Sequence, residues 1–405
     1  MTLQNPESVG FSSDRLARVT RRLERFVDDG QFAGIAASIS RGQSPVWLEC
    51  VGKADIKENR AIEEDTIFAL ASMTKPVTSV AAMMLYEQGH FTLNTPVAEF
   101  IPEFARLEVM TGTEDAGREP LVRPITMRHL FTHTSGLSYG FHENDPLDRL
   151  YRDTFASLGI TEDRSTSGQL IDVLTRVPLR FQPGTRWHYS LATDVIGVIV
   201  ELITGQSLGQ FFEEQIFGPL EMTETSYRVP KERLGRLARI YCHDRDSGRL
   251  TPFEDPDARD PATIPSRCYG GAGLYSTIGD YTRFAQTLAS GGRYRAEQLL
   301  APSTMQLFAT NQAPEAALPY GFAEGEDLFH KGHGFSLGTR VMIDLGDSGQ
   351  AGSVGTFGWD GAFNTYFWVD PVLGISGVIL AQHYPNNAYP LANAFRQTTY
   401  QAFLG

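Results

Sequence analysis

The chain has few cysteines and no long apolar run. Its 405 residues include three cysteines, Cys50, Cys242 and Cys268, without Cys-x-x-Cys spacing. The sequence therefore predicts neither a disulfide framework nor a cysteine zinc site. No stretch of about 18 apolar residues occurs, and the first residues lack the basic start and apolar core of a signal peptide. We accordingly expect a cytoplasmic protein that does not interact with a membrane.

Basic residues are also scarce. The 35 lysines and arginines are outnumbered by 48 aspartates and glutamates, which gives a net charge of -13. Nucleic acids reward a basic patch that no segment of this chain shows, so we expect no nucleic-acid partner. Only five of the basic residues are lysines. A desolvated lysine can act as a base whereas arginine cannot, so the position of each lysine is informative.

One lysine follows a serine at the start of a predicted helix. The stretch FALASMTKPVTSVAAMMLYEQGH, residues 68–90, repeats apolar residues at helical spacing from Val77 to Leu85. Ser72 and Lys75 precede this face and are three residues apart, which places them on the same side of a helical turn. The helix N-terminus favours negative charge on the serine oxygen. By itself the Ser-x-x-Lys spacing is weak evidence for a catalytic site.

Two further segments carry candidate site residues. FQPGTRWHYSLATDVIGVIVELITG, residues 181–205, has a Pro-Gly turn, then aromatic residues, then an amphipathic helix from about Ser190. Tyr189 is expected on the loop just before that helix. FGWDGAFNTYFWVDP, residues 357–371, places Trp359, Asp360 and Gly361 at the start of a strand whose backbone amides can face a ligand.

The distribution of patterns predicts an α+β fold. A helix is expected over Ser13 to Asp29, and strands over Gly34 to Arg41 and Ser44 to Gly52. Helical patterns dominate the middle of the chain. Strand patterns return in GTRVMIDLG, NTYFWVDP and GISGVILAQ, and a last helix is expected over Tyr389 to Leu404. We predict one domain over residues 1–405, with an antiparallel sheet flanked by helices from about 1–70 and 270–405, and a mainly helical part over about 71–269.

Five segments, in this order, resemble the serine β-lactamase and penicillin-binding protein superfamily, and most closely its class-C-like carboxylesterases, often called family VIII. They are SMTK (72–75), LFTHTSGL (130–137), FQPGTRWHYS (181–190), GGAGLYSTIGDYTRFAQTLASGG (270–292) and GWDGAFNTYFWVDP (358–371). The resemblance implies a β-lactamase/transpeptidase-like fold with the active site between the sheet-containing part and the helical part. It implies that Ser72 is the acylated nucleophile, that Lys75 activates it and that Tyr189 shuttles the proton. The backbone N–H groups of Ser72 and Ala362 would stabilise the oxyanion.

The chain departs from the β-lactamase pattern at two places. Leu191 stands where the family's Tyr-x-Asn motif has its asparagine, and Trp359-Asp360-Gly361 replaces the Lys-Thr-Gly triplet. Losing each of these polar partners of the antibiotic would cost about 2 to 3 kcal/mol, whereas an uncharged ester needs neither. We predict that Trp359, Gly361 and Leu191 contact substrate, although Trp359 could simply be a core residue.

The predicted function is hydrolysis of short-chain carboxylic esters through an acyl-enzyme on Ser72. The substrate is a small-molecule ester, and neither a cofactor nor a metal is expected. An acyltransferase, or a hydrolase of small amides or β-lactams, remains open on the same site. A non-catalytic scaffold protein of the same fold is disfavoured because the serine and the lysine are both present. The sequence leaves the oligomeric state open.

The sequence also contains patterns of two other kinds of site. Gly334 to Gly338 matches the Gly-x-Ser-x-Gly elbow, with Ser336 as nucleophile and Asp360 or Asp370 and His383 as partners. The elbow requires a helix after the serine, but Val341, Ile343 and Leu345 alternate as in a strand. His129 and His133 are spaced as zinc ligands can be, but no glutamate lies between them in the His-Glu-x-x-His manner. We interpret both histidines as scaffold.

Overall fold

The chain folds into an α+β structure, described by a computed structural model for residues 1–112, 117–161, 164–244, 246–254, 259–318 and 331–405. The α-helices are α1 (Ser13–Asp28), α2 (Thr74–Glu87), α3 (Met127–Phe131), α4 (Pro146–Ser157), α5 (Ser167–Arg176), α6 (Ala192–Thr204), α7 (Leu208–Phe212), α8 (Ile278–Ala289), α9 (Pro302–Phe308), α10 (Leu345–Ser348) and α11 (Leu391–Tyr400). The strands are β1 (Gly34–Arg41), β2 (Ser44–Asp55), β3 (Arg60–Ala61), β4 (Phe68–Ala69), β5 (Glu108–Met110), β6 (Arg118–Pro120), β7 (Tyr241–His243), β8 (Leu250–Pro252), β9 (Tyr275–Ser276), β10 (Arg293–Tyr294), β11 (Glu297–Gln298), β12 (His333–Phe335), β13 (Arg340–Met342), β14 (Phe357–Gly361), β15 (Thr365–Asp370) and β16 (Ile375–Ala381).

The main sheet combines strands from both ends of the chain. Its order within the described residues is β12-β13-β14-β15-β16-β1-β2-β3, and neighbouring strands are antiparallel. β1 pairs with β2 through the predicted hairpin and with β16 on its other edge, where Ile35 lies opposite Ala381. The predicted α+β class with an antiparallel sheet is confirmed.

Helices cover both faces of this sheet. Side chains alternate along a strand, so Ile35, Ala37 and Ile39 of β1 point to one face and enter the core formed with α1 and α11. The opposite face packs on α8, where Ser40 accepts a hydrogen bond from Gln286 Nε2 at 2.9 Å. A polar strand face can be buried here because its hydroxyl groups have partners.

A short strand pair marks the junction between the sheet-containing part and the helical part. β4 pairs with β9, so that Phe68 lies opposite Ser276 and Ala69 opposite Tyr275. The chain leaves the sheet region at β4, forms mainly helices such as α2 and α6, which pack together, and returns at β9. The residues directly after β4 therefore lie where the two parts meet.

Some elements are shorter than their patterns predict. The run GTRVMIDLG forms a strand only over β13, because the Asp344 side chain accepts a hydrogen bond from the Asp347 N–H and starts the short helix α10. The last helix covers Leu391–Tyr400 rather than Tyr389 to Leu404. Among the described residues, no single helix combines the length and the hydropathy that crossing a membrane requires.

Candidate active site

Ser72 lies at the entrance to α2. It is the middle residue of the 3₁₀ turn Ala71–Met73, which directly precedes the α-helix. The Leu70 N–H donates to Leu274 O at 2.9 Å, which anchors this turn to the segment before β9. The Tyr189 hydroxyl donates to Ser72 Oγ at 2.8 Å, and Lys75 Nζ lies 3.3 Å from the same oxygen. The structure thus brings Ser72, Lys75 and Tyr189 into one hydrogen-bonded group.

Lys75 is completely buried in the first turn of α2. Besides the Ser72 contact, its Nζ donates to Gly271 O at 2.8 Å and contacts the Tyr139 hydroxyl at 2.9 Å. The same nitrogen lies 4.5 Å from the centroid of the Tyr189 ring. Polar partners and an aromatic face therefore surround a side chain that is rarely buried without them.

Tyr189 is held among aromatic rings on the loop before α6. Its ring centroid lies 4.8 Å from that of His133 and 5.8 Å from that of Trp359. Burial raises the pKa of Tyr189 above its usual value, and contacts with the Ser72 and Trp359 side chains oppose this shift. The neutral phenol is therefore its favoured form, and as a phenol it can donate to Ser72 Oγ.

Tyr139, Asp194 and Gly271 complete the surroundings of Lys75 and were missed by the sequence reasoning. A β-carbon on Gly271 would fall 2.5 Å from Asp194 Oδ2, 2.7 Å from the Tyr139 hydroxyl and 3.2 Å from Lys75 Nζ, so only glycine fits. Arg267 Nη1 donates to Asp194 Oδ1 at 2.8 Å, and both side chains are buried. An acidic residue in the first turn of a predicted buried helix was the available signal for Asp194.

A buried polar network lies behind the two tyrosines. Ser138 and His188, which directly precede Tyr139 and Tyr189, contact each other with Ser138 Oγ 2.8 Å from His188 Nε2. Ser138 Oγ also donates to the Asp148 carboxylate, which forms an ion pair with Arg180. Burial, followed by the charge of Arg180, lowers the pKa of His188 to about 4, so this imidazole is neutral near pH 7. The network joins the two tyrosine-bearing loops.

The two histidines considered as zinc ligands form separate hydrogen bonds. His129 Nδ1 accepts from the Thr126 N–H at 3.2 Å and completes the N-terminal cap of α3. His133 Nδ1 lies 3.2 Å from Ser190 Oγ, and burial holds the pKa of His133 well below its usual value. Within the described ranges, no group of three or more His, Cys, Asp and Glu side chains could hold a metal ion.

The end of β14 packs against the segment that leads to Ser72. A β-carbon on Gly361 would lie 2.3 Å from Leu70 O and 2.3 Å from Thr365 Oγ1, so a larger residue would separate the two segments. Ala362 is the next residue in the chain after this close approach, and its role as an oxyanion donor stays a prediction. The geometry is compatible with the predicted pair of backbone N–H donors.

Trp359 and Leu191 are both buried. The Trp359 side chain is 1% exposed, and its ring lies 5.2 Å from that of Phe335 in an edge-to-face contact. Leu191 is 0% exposed and lies in the hydrophobic core where α6 begins. Trp359 thus reaches the site through Tyr189, whereas Leu191 supports the helix behind it. The roles of Trp359, Gly361 and Leu191 in substrate binding stay predictions.

Ser336, the alternative nucleophile, lies in a hairpin. Its N–H donates to Thr339 O at 2.7 Å in the turn between β12 and β13, so a strand follows and not a helix. Its hydroxyl is buried and donates to Leu307 O at 2.8 Å. His383 contacts His243, and Asp370 accepts from Tyr400. The side chains of Ser336, His383 and Asp370 are therefore engaged elsewhere.

Comparisons with known proteins identify the family of the chain. The family described as Beta-lactamase matches residues 19–400. Esterase EstB of Burkholderia gladioli is 30% identical, covering 99% of this chain and 100% of its own length. An uncharacterized protein of Mycobacterium tuberculosis is 34% identical, covering 91% of this chain and 90% of its own length.

Solved structures share the fold. EstCE1, described as a hydrolase with promiscuous acyltransferase activity, is 25% identical and superimposes with a TM-score of 0.80 over 96% of this chain and 99% of its own. Simvastatin synthase from Aspergillus terreus is 23% identical and has a TM-score of 0.82, over 96% of this chain and 98% of its own. At 23% identity, the similarity to simvastatin synthase concerns the fold alone. The predicted β-lactamase/transpeptidase-like architecture is confirmed.

Proposed function

Because the chain belongs to the Beta-lactamase family, we propose that it is a serine hydrolase that cleaves short-chain carboxylic esters through an acyl-enzyme on Ser72. One observation carries the proposal: Ser72 Oγ lies 2.8 Å from the Tyr189 hydroxyl and 3.3 Å from Lys75 Nζ. A nucleophile within reach of groups that can accept and donate its proton is the arrangement that covalent catalysis needs. The name of the esterase from Burkholderia gladioli, similar over nearly the whole chain, supports ester substrates.

Lys75 is the group that we propose accepts the Ser72 proton. A neutral amine would donate to Gly271 O and to the Tyr139 hydroxyl and would direct its lone pair at the Ser72 hydroxyl, which accounts for all three contacts. The raised pKa of Tyr189 argues against a resting phenolate at that residue. Because the two groups share one serine oxygen, we expect their proton transfers to be coupled.

Acylation then proceeds in three proton movements. Ser72 Oγ attacks the ester carbonyl as its proton passes to Lys75, and the developing oxyanion is met by the N–H groups of Ser72 and Ala362. The Tyr189 hydroxyl donates its proton to the departing alkoxide, and Lys75 returns a proton to Tyr189. In deacylation the proton movements run in reverse. Water attacks the acyl-enzyme as its proton passes to Tyr189 and the Tyr189 proton passes to Lys75, and Lys75 returns a proton to Ser72 as the acid leaves.

Acyl transfer to an alcohol is the second candidate. The solved hydrolase with promiscuous acyltransferase activity shares the fold over nearly the whole chain, and an alcohol can replace water at the acyl-enzyme. The two activities are separated by incubating the enzyme with p-nitrophenyl butyrate and a graded concentration of butanol. Hydrolysis predominates if butyric acid is the main product at millimolar butanol, and transfer predominates if butyl butyrate is.

The decisive test of the proposal is active-site labelling. The protein is treated with a fluorophosphonate, digested and analysed by mass spectrometry, with the Ser72→Ala variant treated in parallel. We expect one modified peptide, carrying the label on Ser72, and none in the variant. Labelling of any other serine, or no labelling at all of a protein that hydrolyses no ester, contradicts the proposal.

Cytoplasmic location and an uncharged small-molecule partner also stay proposals. The three cysteines are free thiols, and this supports a reducing compartment. Fractionation of cells that produce the protein, with the labelled Ser72 peptide as marker, tests the location.

A further inference from the structure

An exposed aromatic ring adjoins the catalytic group. Phe141 is 65% exposed, and its ring stacks on that of Tyr139 with the centroids 4.3 Å apart and the planes 8° from parallel. Single exposed apolar side chains are common and need no functional explanation. Phe141 differs from Val122, Leu202 and the other exposed apolar residues because it covers a residue that contacts Lys75.

Hydrogen bonds fix the segment that presents this ring. The His142 N–H donates to Asp148 Oδ2 at 3.0 Å. Arg152 Nη1 donates to Gly140 O at 2.6 Å and to His142 O at 3.2 Å. The backbone on both sides of Phe141 is therefore tied to α4, which fixes the position from which the ring extends.

The stack continues the aromatic wall of the site. The Tyr139 ring lies 5.3 Å from the Tyr189 ring, and the Tyr139 hydroxyl lies 2.9 Å from Lys75 Nζ. Phe141 thus adds a third ring to this wall, with one face on Tyr139 and much of its surface open to solvent. A flat apolar face beside a nucleophile favours a substrate group that is itself aromatic or a long alkyl chain.

We propose that Phe141 is a specificity-determining residue that binds the aromatic or long apolar group of the ester. The proposal rests on the proposed function, because it assigns a substrate class to the same site. It extends the predicted preference for short esters: a small ester is accepted, and an ester with one large apolar group is bound more tightly. The group belongs either to the acid or to the alcohol of the ester.

Three esters test the proposal. The wild type, Phe141→Ala and Phe141→Tyr are compared on ethyl acetate, ethyl octanoate and 1-naphthyl acetate. We expect Phe141→Ala to lower kcat/KM about tenfold for a bulky ester, mainly through KM, and to leave ethyl acetate within about twofold. Phe141→Tyr keeps the ring and should keep the activity. Loss confined to the octanoate places the apolar group on the acid, and loss confined to the naphthyl ester places it on the alcohol.

A binding measurement separates this proposal from the proposed function. The affinity for 1-naphthyl acetate is measured by naphthalene fluorescence in Ser72→Ala and in the double variant with Phe141→Ala, with Leu202→Ala added to Ser72→Ala as the matched control. About tenfold weaker binding in the Phe141 double variant alone supports the proposal, even if no ester is hydrolysed. Equal affinities of Ser72→Ala and the Phe141 double variant for 1-naphthyl acetate overturn the proposal. If neither variant binds the ester, equal losses of Phe141→Ala on all three esters overturn it.

Discussion

Ser72 and Ser336 both stand in patterns that hydrolases use for a nucleophile, yet their surroundings differ. Ser72 precedes a helix, and Lys75 and Tyr189 contact its oxygen. Ser336 precedes a strand, and its buried hydroxyl is used by the carbonyl of Leu307. The oxygen of the first serine contacts two titratable side chains, whereas the hydroxyl of the second donates to a backbone carbonyl.

The difference shows what a short motif leaves out. Gly-x-Ser-x-Gly fixes a turn, but the turn becomes a catalytic elbow only when a helix follows and a histidine faces it. Around Ser336 the glycines serve a hairpin instead: Gly338 has a positive φ, and its N–H donates to Phe131 O. Ser-x-x-Lys carries an amine three residues after the serine, so the helix that follows is enough to bring Lys75 to Ser72.

Removing each serine in turn gives the largest contrast. Ser72→Ala should lower kcat for p-nitrophenyl butyrate by at least about a thousandfold, because the covalent intermediate cannot form. Ser336→Ala loses one buried hydrogen bond and should stay within about threefold of the wild type. Initial rates of nitrophenolate release measure both. A larger loss in Ser336→Ala than in Ser72→Ala would reverse the assignment.

Removing the groups around Ser72 should show that they act together. Tyr189→Phe keeps the ring and removes the hydroxyl that reaches Ser72 Oγ, so kcat should fall by about a hundredfold or more with little change in Tm. Lys75→Ala should cost a similar factor, and the double variant should be little worse than either single one.

The control for this series is Tyr400→Phe, which removes a hydroxyl bound to Asp370 on the far side of the sheet. We expect it to change Tm and not kcat. If Tyr189→Phe kept more than about a tenth of the wild-type kcat, the tyrosine would be structural and Lys75 would act alone.

The next prediction concerns the preference of the Ser72 site for esters over β-lactams. Leu191 and Trp359 are apolar where β-lactam recognition needs an amide and a cation. We expect kcat/KM for p-nitrophenyl butyrate to exceed that for nitrocefin by at least about a hundredfold, which corresponds to roughly 2.7 kcal/mol of transition-state binding. Similar values for the two substrates would mean that other residues supply those polar contacts.

The smallest effect concerns stability and not rate. His188 supports the Tyr189 loop as a neutral imidazole, with its pKa lowered from 6.5 to about 4. The unfolded chain takes up this proton below about pH 6.5, whereas the folded protein does so only near pH 4, so acid favours unfolding. Between about pH 7 and pH 4.5 this residue should remove about 2 kcal/mol from the free energy of unfolding.

Urea titrations of the wild type and His188→Gln at the two pH values test this effect. The variant should be less stable near pH 7, where it lacks the imidazole contact with Ser138, but it should lose about 2 kcal/mol less on acidification. Parallel losses in the two proteins would show that His188 does not carry the pH dependence.

Sequence and structure agree most where a residue's role follows from its immediate neighbours. Ser72 and Lys75 share one turn, Tyr189 lies on the loop that leads into α6, and β1 has the predicted bounds Gly34–Arg41. Tyr139, Asp194 and Gly271 were missed because they meet only when three distant segments pack around Lys75. β13 ends earlier than its alternating pattern suggests, because capping by Asp344 outweighs the strand propensity of Ile343.

The pairing of β1 with β16 has a consequence for how the chain reaches its folded state. Ile35 and Ala381 are neighbours across the sheet although nearly the whole sequence separates them. Closing so long a loop is entropically unfavourable until many contacts form at once, and a high mean sequence separation of contacts slows folding. On the ribosome, the middle of the sheet cannot be completed until β16 has emerged, so the edge of β1 that pairs with β16 stays unpaired through most of synthesis. Protection of this edge by a chaperone, or by early docking of α1, would govern the yield of folded protein more than its final stability does.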